Sequence, residues 1–143
     1  MTVLSWNCRG PGQPRTIQEL VCLVHTYKSK LVLLSKTRQS TSYVNKLIWR
    51  LGLKDYIVQP VIGKSAGITL FYDVSVEVIK LAVGPRYIDV LIRLNPNEMQ
   101  WWGTFVYGEP KAHLRHNMWE LIHRIKPKSS APWMMIGDFN ETM

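Results

Sequence analysis

The sequence predicts an α+β fold, an α/β sandwich of mixed and mainly antiparallel sheets that are flanked by helices. Apolar runs typical of strands alternate with helically spaced apolar residues in the first half of the chain. The second half is dominated by successive strand-like runs separated by turns. Neither GxGxxG nor GxxxxGKS/T occurs, which argues against a doubly wound parallel sheet built around a nucleotide phosphate loop.

The first half is predicted to hold two strands and two helices in alternation. The strands are short apolar runs, and the first of them ends at a turn rich in glycine and proline, 9–12. The helices are indicated by apolar residues three or four apart, with Pro14 ahead of the first helix and Gly52 after the second as a C-cap. In chain order, the elements are the strand 2–8, the helix 16–27, the strand 31–34 and the helix 43–51.

The second half is predicted to be mostly strand, followed by one helix and a final strand. Turn residues at 63–65, 84–85 and 95–97 separate the strand-like runs. Because no repeat, low-complexity segment or linker interrupts the elements, we expect residues 1–143 to belong to one domain. In chain order, the elements are the strands 55–61, 67–72, 75–81, 87–94 and 100–107, the helix 112–125 and the strand 133–136.

The chain of 143 residues carries a formal net charge of +8. A positive balance of this kind favours polyanionic partners, with nucleic acid first among them. The charge is concentrated, because residues 21–59 contain one acid, Asp55, among seven lysines and arginines. We interpret this run either as a surface that faces phosphates or as an ordinary solvated face, and the sequence leaves both interpretations open.

The sequence also bears on membranes and on cysteine chemistry. No apolar run approaches the roughly 20 residues that cross a bilayer, so no membrane partner is expected. The first residues lack the basic and apolar regions of a secretory signal, which favours an intracellular location, with the nucleus as one option. Cys8 and Cys22 are then expected to be reduced thiols, and they lack the CxxC spacing of a zinc site.

Four polar side chains lie at the ends of predicted strands, where binding groups are commonly placed. They are Asn7, Tyr107, Asp138 and Asn140. A carboxylate at a strand end can hold a divalent cation or orient a water, and an asparagine two residues further on points to the same side. Because Asn and Asp at such positions more often cap turns, the residues alone give only weak support for a metal or phosphate site.

Four sequence blocks resemble motifs of the endonuclease/exonuclease/phosphatase superfamily, in the family's order and spacing and over essentially the whole chain. The first block, LSWNCRG at 4–10, resembles the opening motif of the superfamily. The Pro14-Arg15 that follows it resembles the plant LINE-type (non-LTR) retrotransposon branch in particular. Three later blocks also resemble that branch: GKSAGITLF at 63–71, FVYGEP at 105–110 and PWMMIGDFN at 132–140. Arg115 and Trp119, which follow FVYGEP, belong to the same resemblance.

The resemblance implies Mg²⁺-assisted hydrolysis of a phosphodiester, with DNA as the expected partner. Asn7 would then help to order the metal site, and Tyr107 would donate to the phosphate. Asp138 would align or activate the attacking water, and Asn140 would stabilise the charge that develops on the phosphoryl oxygens. Domains of this family are often fused to a reverse transcriptase region, which is absent from this sequence.

Two departures from the family pattern bear on activity. In the family, the strand corresponding to 31–35 delivers a glutamate that binds the metal; here that place holds Lys36, followed by Thr37 and Arg38. An ammonium repels a cation, and residues 21–54 contain no Glu or Asp that could take over the role. Family domains also continue beyond the GDFN block to an Asp-His pair, whereas all four histidines of this sequence precede that block.

We therefore expect residues 1–143 to be the N-terminal portion of one endonuclease/exonuclease/phosphatase-like domain, truncated at its C-terminus and with little or no catalytic activity. A non-catalytic basic module that binds nucleic acid is the alternative. A third interpretation is a nuclease that is active as part of a longer gene product. The sequence leaves open DNA versus RNA, any site preference and the oligomeric state.

Overall fold

Strands and helices follow each other in the predicted order in the computed structural model, which describes residues 1–7, 14–35, 41–59, 67–109 and 111–139. A 3-10 turn, Ala112–Leu114, precedes α3, so the helix predicted over 112–125 is α-helical only from Arg115. The described elements, in chain order, are β1 (Val3–Asn7), α1 (Pro14–Tyr27), β2 (Leu31–Ser35), α2 (Thr41–Leu51), β3 (Asp55–Val58), β4 (Ile68–Tyr72), β5 (Glu77–Gly84), β6 (Tyr87–Arg93), β7 (Trp101–Tyr107), α3 (Arg115–Ile125) and β8 (Trp133–Asp138).

The strands form two mixed sheets of four strands each. Sheet A has the order β1-β2-β4-β3, in which β1 and β2 are parallel and the other neighbours are antiparallel. Sheet B has the order β5-β6-β7-β8, in which β7 and β8 are parallel and the other neighbours are antiparallel. The predicted class, mixed and mainly antiparallel sheets flanked by helices, is therefore confirmed.

The hairpin of β5 and β6 begins and turns later than the sequence pattern predicts. Asp73 accepts hydrogen bonds from both the backbone nitrogen and the hydroxyl of Ser75, and this local turn delays the start of β5 to Glu77. The strand then continues to Gly84, which pairs with Tyr87, so the turn consists of residues 85–86. The periodicity of apolar residues does not report a side-chain hydrogen bond ahead of a strand, and it does not report the register between two strands.

The main core lies between the two sheets, because alternate residues of a strand point to the same side. Leu31 and Leu33 of β2 are fully buried there, in one cluster with Ile88 and Val90 of β6 and Phe105 of β7. Full burial of one such side chain stabilises a fold by about 1.5–3 kcal/mol. The sandwich is therefore held together by the inward faces of its central strands.

Helices cover the outer faces of both sheets. α1 and α2 pack on sheet A, and α3 packs on sheet B through Met118 and Ile122, which contact the cluster around Val106. The buried side of α2 consists of apolar residues three and four apart, as the sequence predicts. They are Val44, Leu47, Ile48 and Leu51. None of the described helices is long and apolar enough to cross a membrane.

A buried polar network lies on the outer face of sheet B, on the side opposite to Ile88 and Val90. Thr104 Oγ1 donates to Asp89 Oδ1 at 2.9 Å, and Trp133 Nε1 donates to Thr104 Oγ1 at 2.8 Å. Burial raises the pKa of the Asp89 carboxyl above its usual range, and the hydrogen bond from Thr104 partly opposes that rise. The charged form of Asp89 is thus less favourable in the folded chain than in the unfolded chain.

We expect Asp89→Asn to raise the free energy of unfolding at neutral pH. The amide retains an oxygen that accepts from Thr104, and the substitution removes a charge that folding disfavours. A carboxyl whose pKa is raised by folding costs stability as the pH rises from its unfolded pKa, about 4, through its folded pKa. The advantage of the variant should therefore disappear below about pH 4.

Urea unfolding of the parent and of Asp89→Asn, followed from acid to neutral pH, measures this difference. Glu98→Gln removes the same charge from an exposed position and serves as the control. If Asp89→Asn were less stable than the parent at neutral pH, the carboxylate would be a stabilising member of the network and the interpretation would be wrong.

Candidate phosphate-binding site

The two parallel strand pairs place the predicted site residues at one edge of the sandwich. In sheet A, Asn7 at the end of β1 pairs with Ser35 at the end of β2. In sheet B, Tyr107 at the end of β7 pairs with Asp138 at the end of β8. Asn7 Nδ2 donates to Asp138 Oδ2 at 2.9 Å, so this bond joins the two sheets directly. The structure therefore brings together three of the four residues that the sequence singled out.

Asn7 retains an acceptor atom that the described residues leave unused. Its Nδ2 is engaged by Asp138, while its Oδ1 is buried and has no hydrogen-bond partner in the described part of the chain. Leaving a buried acceptor unsatisfied costs about 1–3 kcal/mol, so such an oxygen suits a donor or a cation. Asn7 is thus both a link between the sheets and a candidate ligand-binding group.

Tyr107 is more deeply placed than its expected role suggests. The residue is 5% exposed and belongs to the apolar cluster between the sheets. Any contact with a phosphate must be made by the small part of the side chain that reaches the surface. In the described structure, the Tyr107 side chain mainly packs in the core between the sheets, next to the edge that holds Asn7 and Asp138.

Arg86, which the sequence analysis did not single out, holds the segment that follows β7. Its Nη2 pairs with Glu109 Oε2 at 2.8 Å, and its Nη1 donates to the carbonyl oxygen of Gly108 at 3.2 Å. The guanidinium carbon also lies 5.9 Å from the centre of the Tyr107 ring. Arg86 lies in the turn between β5 and β6. Its contact with Glu109 becomes apparent only in the folded sheet, where the two side chains lie beside each other.

The glycines of the last two sequence blocks allow β7 and β8 to approach each other closely. Gly137 has φ +152°, and a Cβ at this position would overlap the carbonyl oxygen of Val106. A Cβ at Gly108 would likewise overlap the backbone of Phe139, and Gly108 N donates to Asp138 O at 2.6 Å. Glycine is therefore required beside Asp138 for a backbone reason that is independent of any chemistry.

Two residues that matter for the expected activity lie outside the described residues. They are Lys36, which follows β2 in the sequence, and Asn140, which follows Phe139. The metal-repelling role inferred for Lys36 and the charge-stabilising role inferred for Asn140 therefore remain predictions.

The described residues fit a magnesium ion only in part. Mg²⁺ takes six oxygen ligands, usually one or two carboxylates with waters and phosphate oxygens. Asn7 Oδ1 and the Asp138 carboxylate are oxygens of the right kind, but the Asn7 amide nitrogen, a donor, occupies one oxygen of that carboxylate. No group of three or more His, Cys, Asp or Glu side chains suited to a metal occurs among the residues that the structure describes. The Asn7 oxygen is thus an acceptor that a phosphate oxygen cannot approach directly, and it would meet a phosphate through a cation or a water.

Several solved structures are similar to this chain in fold. They include D. rerio TDP2 complexed with single strand DNA product, at 14% identity and a TM-score of 0.71. The endonuclease domain of TRAS1, a telomere-specific non-LTR retrotransposon, matches at 17% identity and a TM-score of 0.62. AP endonuclease LMAP from Leishmania major matches at 16% identity and a TM-score of 0.62.

These alignments cover 99%, 99% and 94% of this chain, and 61%, 59% and 53% of the three matched chains in the same order. The chain thus spans about three-fifths of the D. rerio TDP2 structures that it matches, whose coverage is 61% to 63%. No family model matches the sequence, and no curated protein is significantly similar to it. At identities of this size the comparison establishes the fold.

Proposed function

We propose that this chain is a nuclease-like domain related to the plant LINE-type retrotransposon endonucleases, which binds nucleic-acid phosphates at the edge formed by Asn7 and Asp138 and has lost most phosphodiester cleavage. The observation that carries the proposal is the 2.9 Å hydrogen bond between these two residues, which come from different sheets and from the first and last of the four resembling blocks. A part-buried amide–carboxylate pair of this kind brings no advantage for apolar packing, whereas it supplies polar atoms to a ligand.

The polar groups at this edge match the parts of a phosphate contact. Asn7 Oδ1 is an acceptor, so it would meet a cation that accompanies the phosphate and not a phosphate oxygen itself. The surface-reaching part of Tyr107 and the amide of Asn140 are assigned to the phosphoryl oxygens, and Asp138 to a water. A bound Mg²⁺ would supply charge neutralisation of the phosphate and of the leaving oxygen.

Loss of cleavage is inferred from Lys36. The resemblance places a metal-binding glutamate at this position, and a lysine there exchanges a carboxylate ligand for an ammonium that repels the metal. Removing one group that acts on developing charge costs about 10²–10³ in rate.

Nucleic acid is the proposed partner, and DNA is favoured over RNA. The net charge of +8 supports a polyanionic ligand. One similar structure, TDP2, was solved with a single-strand DNA product, and another belongs to a telomere-specific retrotransposon endonuclease. The second candidate function is a basic module that binds nucleic acid without any role for Asn7 and Asp138, and the charge run at 21–59 favours it.

We expect purified protein to show no Mg²⁺-dependent nicking of supercoiled plasmid above background. The reason is that Lys36 stands in the sequence where the resemblance implies a metal-binding glutamate. The assay is run on the parent and on Asp138→Ala, with EDTA as the metal-free reference. Clear nicking by the parent that vanishes in Asp138→Ala would show an active nuclease and overturn the inactive assignment.

A DNA-binding titration at several salt concentrations separates the two candidate functions. Phosphate contacts give a steep negative slope of log affinity against log salt in both cases. Only a phosphate site at the sandwich edge requires that Asn7→Ala weaken binding, since that variant removes the oxygen that would meet the cation accompanying the phosphate and also removes the link to Asp138. An unchanged affinity in Asn7→Ala would favour the general basic module.

A further inference from the structure

The last turns of α1 and α2 form an exposed basic and aromatic surface at the edge of the sandwich opposite to the candidate site. We call it the helix-end surface and define it by Tyr27, Lys28, Lys46, Trp49 and Arg50. Trp49 is 85% exposed and Tyr27 is 60% exposed, which is unusual for large aromatic side chains.

The position of this surface follows from the strand register. β2 begins at Leu31, just after α1, and β3 begins at Asp55, just after α2, and both residues pair with Tyr72 of β4. The two helices therefore end at the edge where these strands begin, away from Asn7 and Ser35 at the other end. The helix ends are adjacent, since His25 Nε2 lies 3.2 Å from the carbonyl oxygen of Arg50.

The five residues that define the surface include three cations and no acid. α2 contains no acidic residue, and the one acid of α1, Glu19, is paired with Arg15 at 3.2 Å. In the described part of the chain no ion pair involves Lys28, Lys46 or Arg50. Cations near helix C-termini interact favourably with the helix dipole, which accounts for part of this charge. That explanation does not extend to an exposed tryptophan among them.

Trp49 is exposed because it lies on the solvent side of α2. Its apolar neighbours in the sequence point into the core beneath the helix; they are Leu47, Ile48 and Leu51. The exposed neighbours of Trp49 on the helix are Asn45, Lys46 and Arg50, all polar. The ring is thus an isolated aromatic platform in a polar and positive setting, and no apolar stripe accompanies it.

A polar cavity of about 250 Å³ opens between the same helix ends. His25, Lys28, Ser29, Lys30 and Asp73 are among its lining residues, and the Lys30 ammonium is paired with the Asp73 carboxylate at 3.1 Å. Ser29 is 4% exposed, and its hydroxyl is buried without a hydrogen-bond partner among the residues described. A phosphate oxygen seated between this hydroxyl and the ammonium of Lys28 would satisfy it.

We propose that the helix-end surface binds single-stranded nucleic acid, with a base stacked on Trp49, a second on Tyr27, and the phosphates held by Lys28, Lys46 and Arg50. A base can stack on these rings only when it is unpaired, since a duplex exposes its phosphates but buries the faces of its bases. A membrane would need an apolar face to insert, and the apolar side of α2 is buried in the core. The surface is distinct from the Asn7–Asp138 edge, so it acts whether or not that edge binds phosphate.

The test measures binding of a fluorescein-labelled oligothymidine to the full chain by anisotropy. Loss of one stacked base weakens binding by about 1–3 kcal/mol, so Trp49→Ala is expected to raise Kd by roughly 5- to 150-fold. Trp49→Phe keeps a ring and should stay within about threefold of the parent. Met99→Ala removes another strongly exposed apolar side chain, near sheet B, and should leave Kd unchanged. Because Trp49 is exposed, the variant should fold, and far-UV circular dichroism checks this.

Salt dependence and competitors complete the experiment. Lys46→Gln with Arg50→Gln should make the slope of log affinity against log salt shallower by about 0.7 for each phosphate that the two side chains neutralise in the parent. Duplex DNA and anionic vesicles are compared at equal phosphate concentration. An unchanged Kd in Trp49→Ala, equal binding of duplex, or tighter binding of vesicles would overturn the inference. Weaker binding in Asn7→Ala with an unchanged Kd in Trp49→Ala would support the proposed edge site and overturn the helix-end surface. Weaker binding in Trp49→Ala with an unchanged Kd in Asn7→Ala would support the helix-end surface and overturn the edge site.

Discussion

Gly137→Ala is expected to lower the free energy of unfolding by roughly 2–6 kcal/mol, the sum of a backbone conformation that favours glycine and a steric overlap. The residue has φ +152°, and a Cβ there would overlap the carbonyl oxygen of Val106 on the neighbouring strand. Because that oxygen is part of the backbone, neither strand can relieve the overlap by changing a side-chain rotamer. Domains have about 5–15 kcal/mol of net stability, so the parallel pairing of β7 and β8 should be lost or severely weakened.

Urea and thermal unfolding measure the effect, and Gly52→Ala is the matched control. Gly52 also has a positive φ, +70°, but a Cβ there meets only His25 Cε1 at 3.9 Å, an ordinary contact. The control should cost about 1–2 kcal/mol for the left-handed backbone alone. If the two variants were equally stable, close approach of the strands at Gly137 would not be an essential feature of the fold.

Phe105→Ala is expected to lower the free energy of unfolding by about 3–5 kcal/mol, through reduced burial and the cavity that remains. Phe105 is fully buried between the sheets, and its register partners are Ile88 on β6 and Ile136 on β8. Tyr107 lies two residues further on the same strand and in the same cluster, so the cavity would also loosen the site edge. Equilibrium unfolding in urea measures the loss.

The control for this prediction is Tyr27→Ala, which removes an aromatic ring from an exposed helical position. It should change stability by no more than about 0.5 kcal/mol, as surface substitutions usually do. A loss in Phe105→Ala as small as that of the control would mean that the sheets do not depend on this part of their shared core.

Local elements of this fold can be predicted from the sequence, whereas the arrangement of the strands cannot. The run from Leu31 to Leu34 is apolar at every position, and such a strand must be covered on both faces, as it is here by helices and by sheet B. Nothing in that run specifies that β4 inserts between β2 and β3, since the order depends on which strands find complementary faces. The predicted start of β5 is wrong by two residues because it depends on a hydrogen bond from Ser75 to Asp73.

The candidate site was predictable for the residues at strand ends and not for those that support them. Asn7 and Asp138 each end an apolar run, which places each of them at the C-terminal end of a strand. They lie in different sheets, however, so their meeting depends on how the sheets dock and has no local origin in the sequence. Arg86 contacts Glu109 across two strands, and neither its spacing nor its neighbours in the sequence indicate that pairing. The depth at which Tyr107 is buried also depends on the packing of two sheets, which an alternation of residues along one strand does not report.

The bond between Asn7 and Asp138 joins residues that are 131 positions apart in the chain. Closing a loop of that length carries an entropic cost that early, local contacts do not offset, so this bond should form among the last events of folding. A folding intermediate with native helices and with β5, β6 and β7 already paired would still lack it. Affinity for a ligand that depends on both residues would therefore report the fraction of molecules in which both sheets have docked, and its recovery after dilution from denaturant should follow the slowest folding phase.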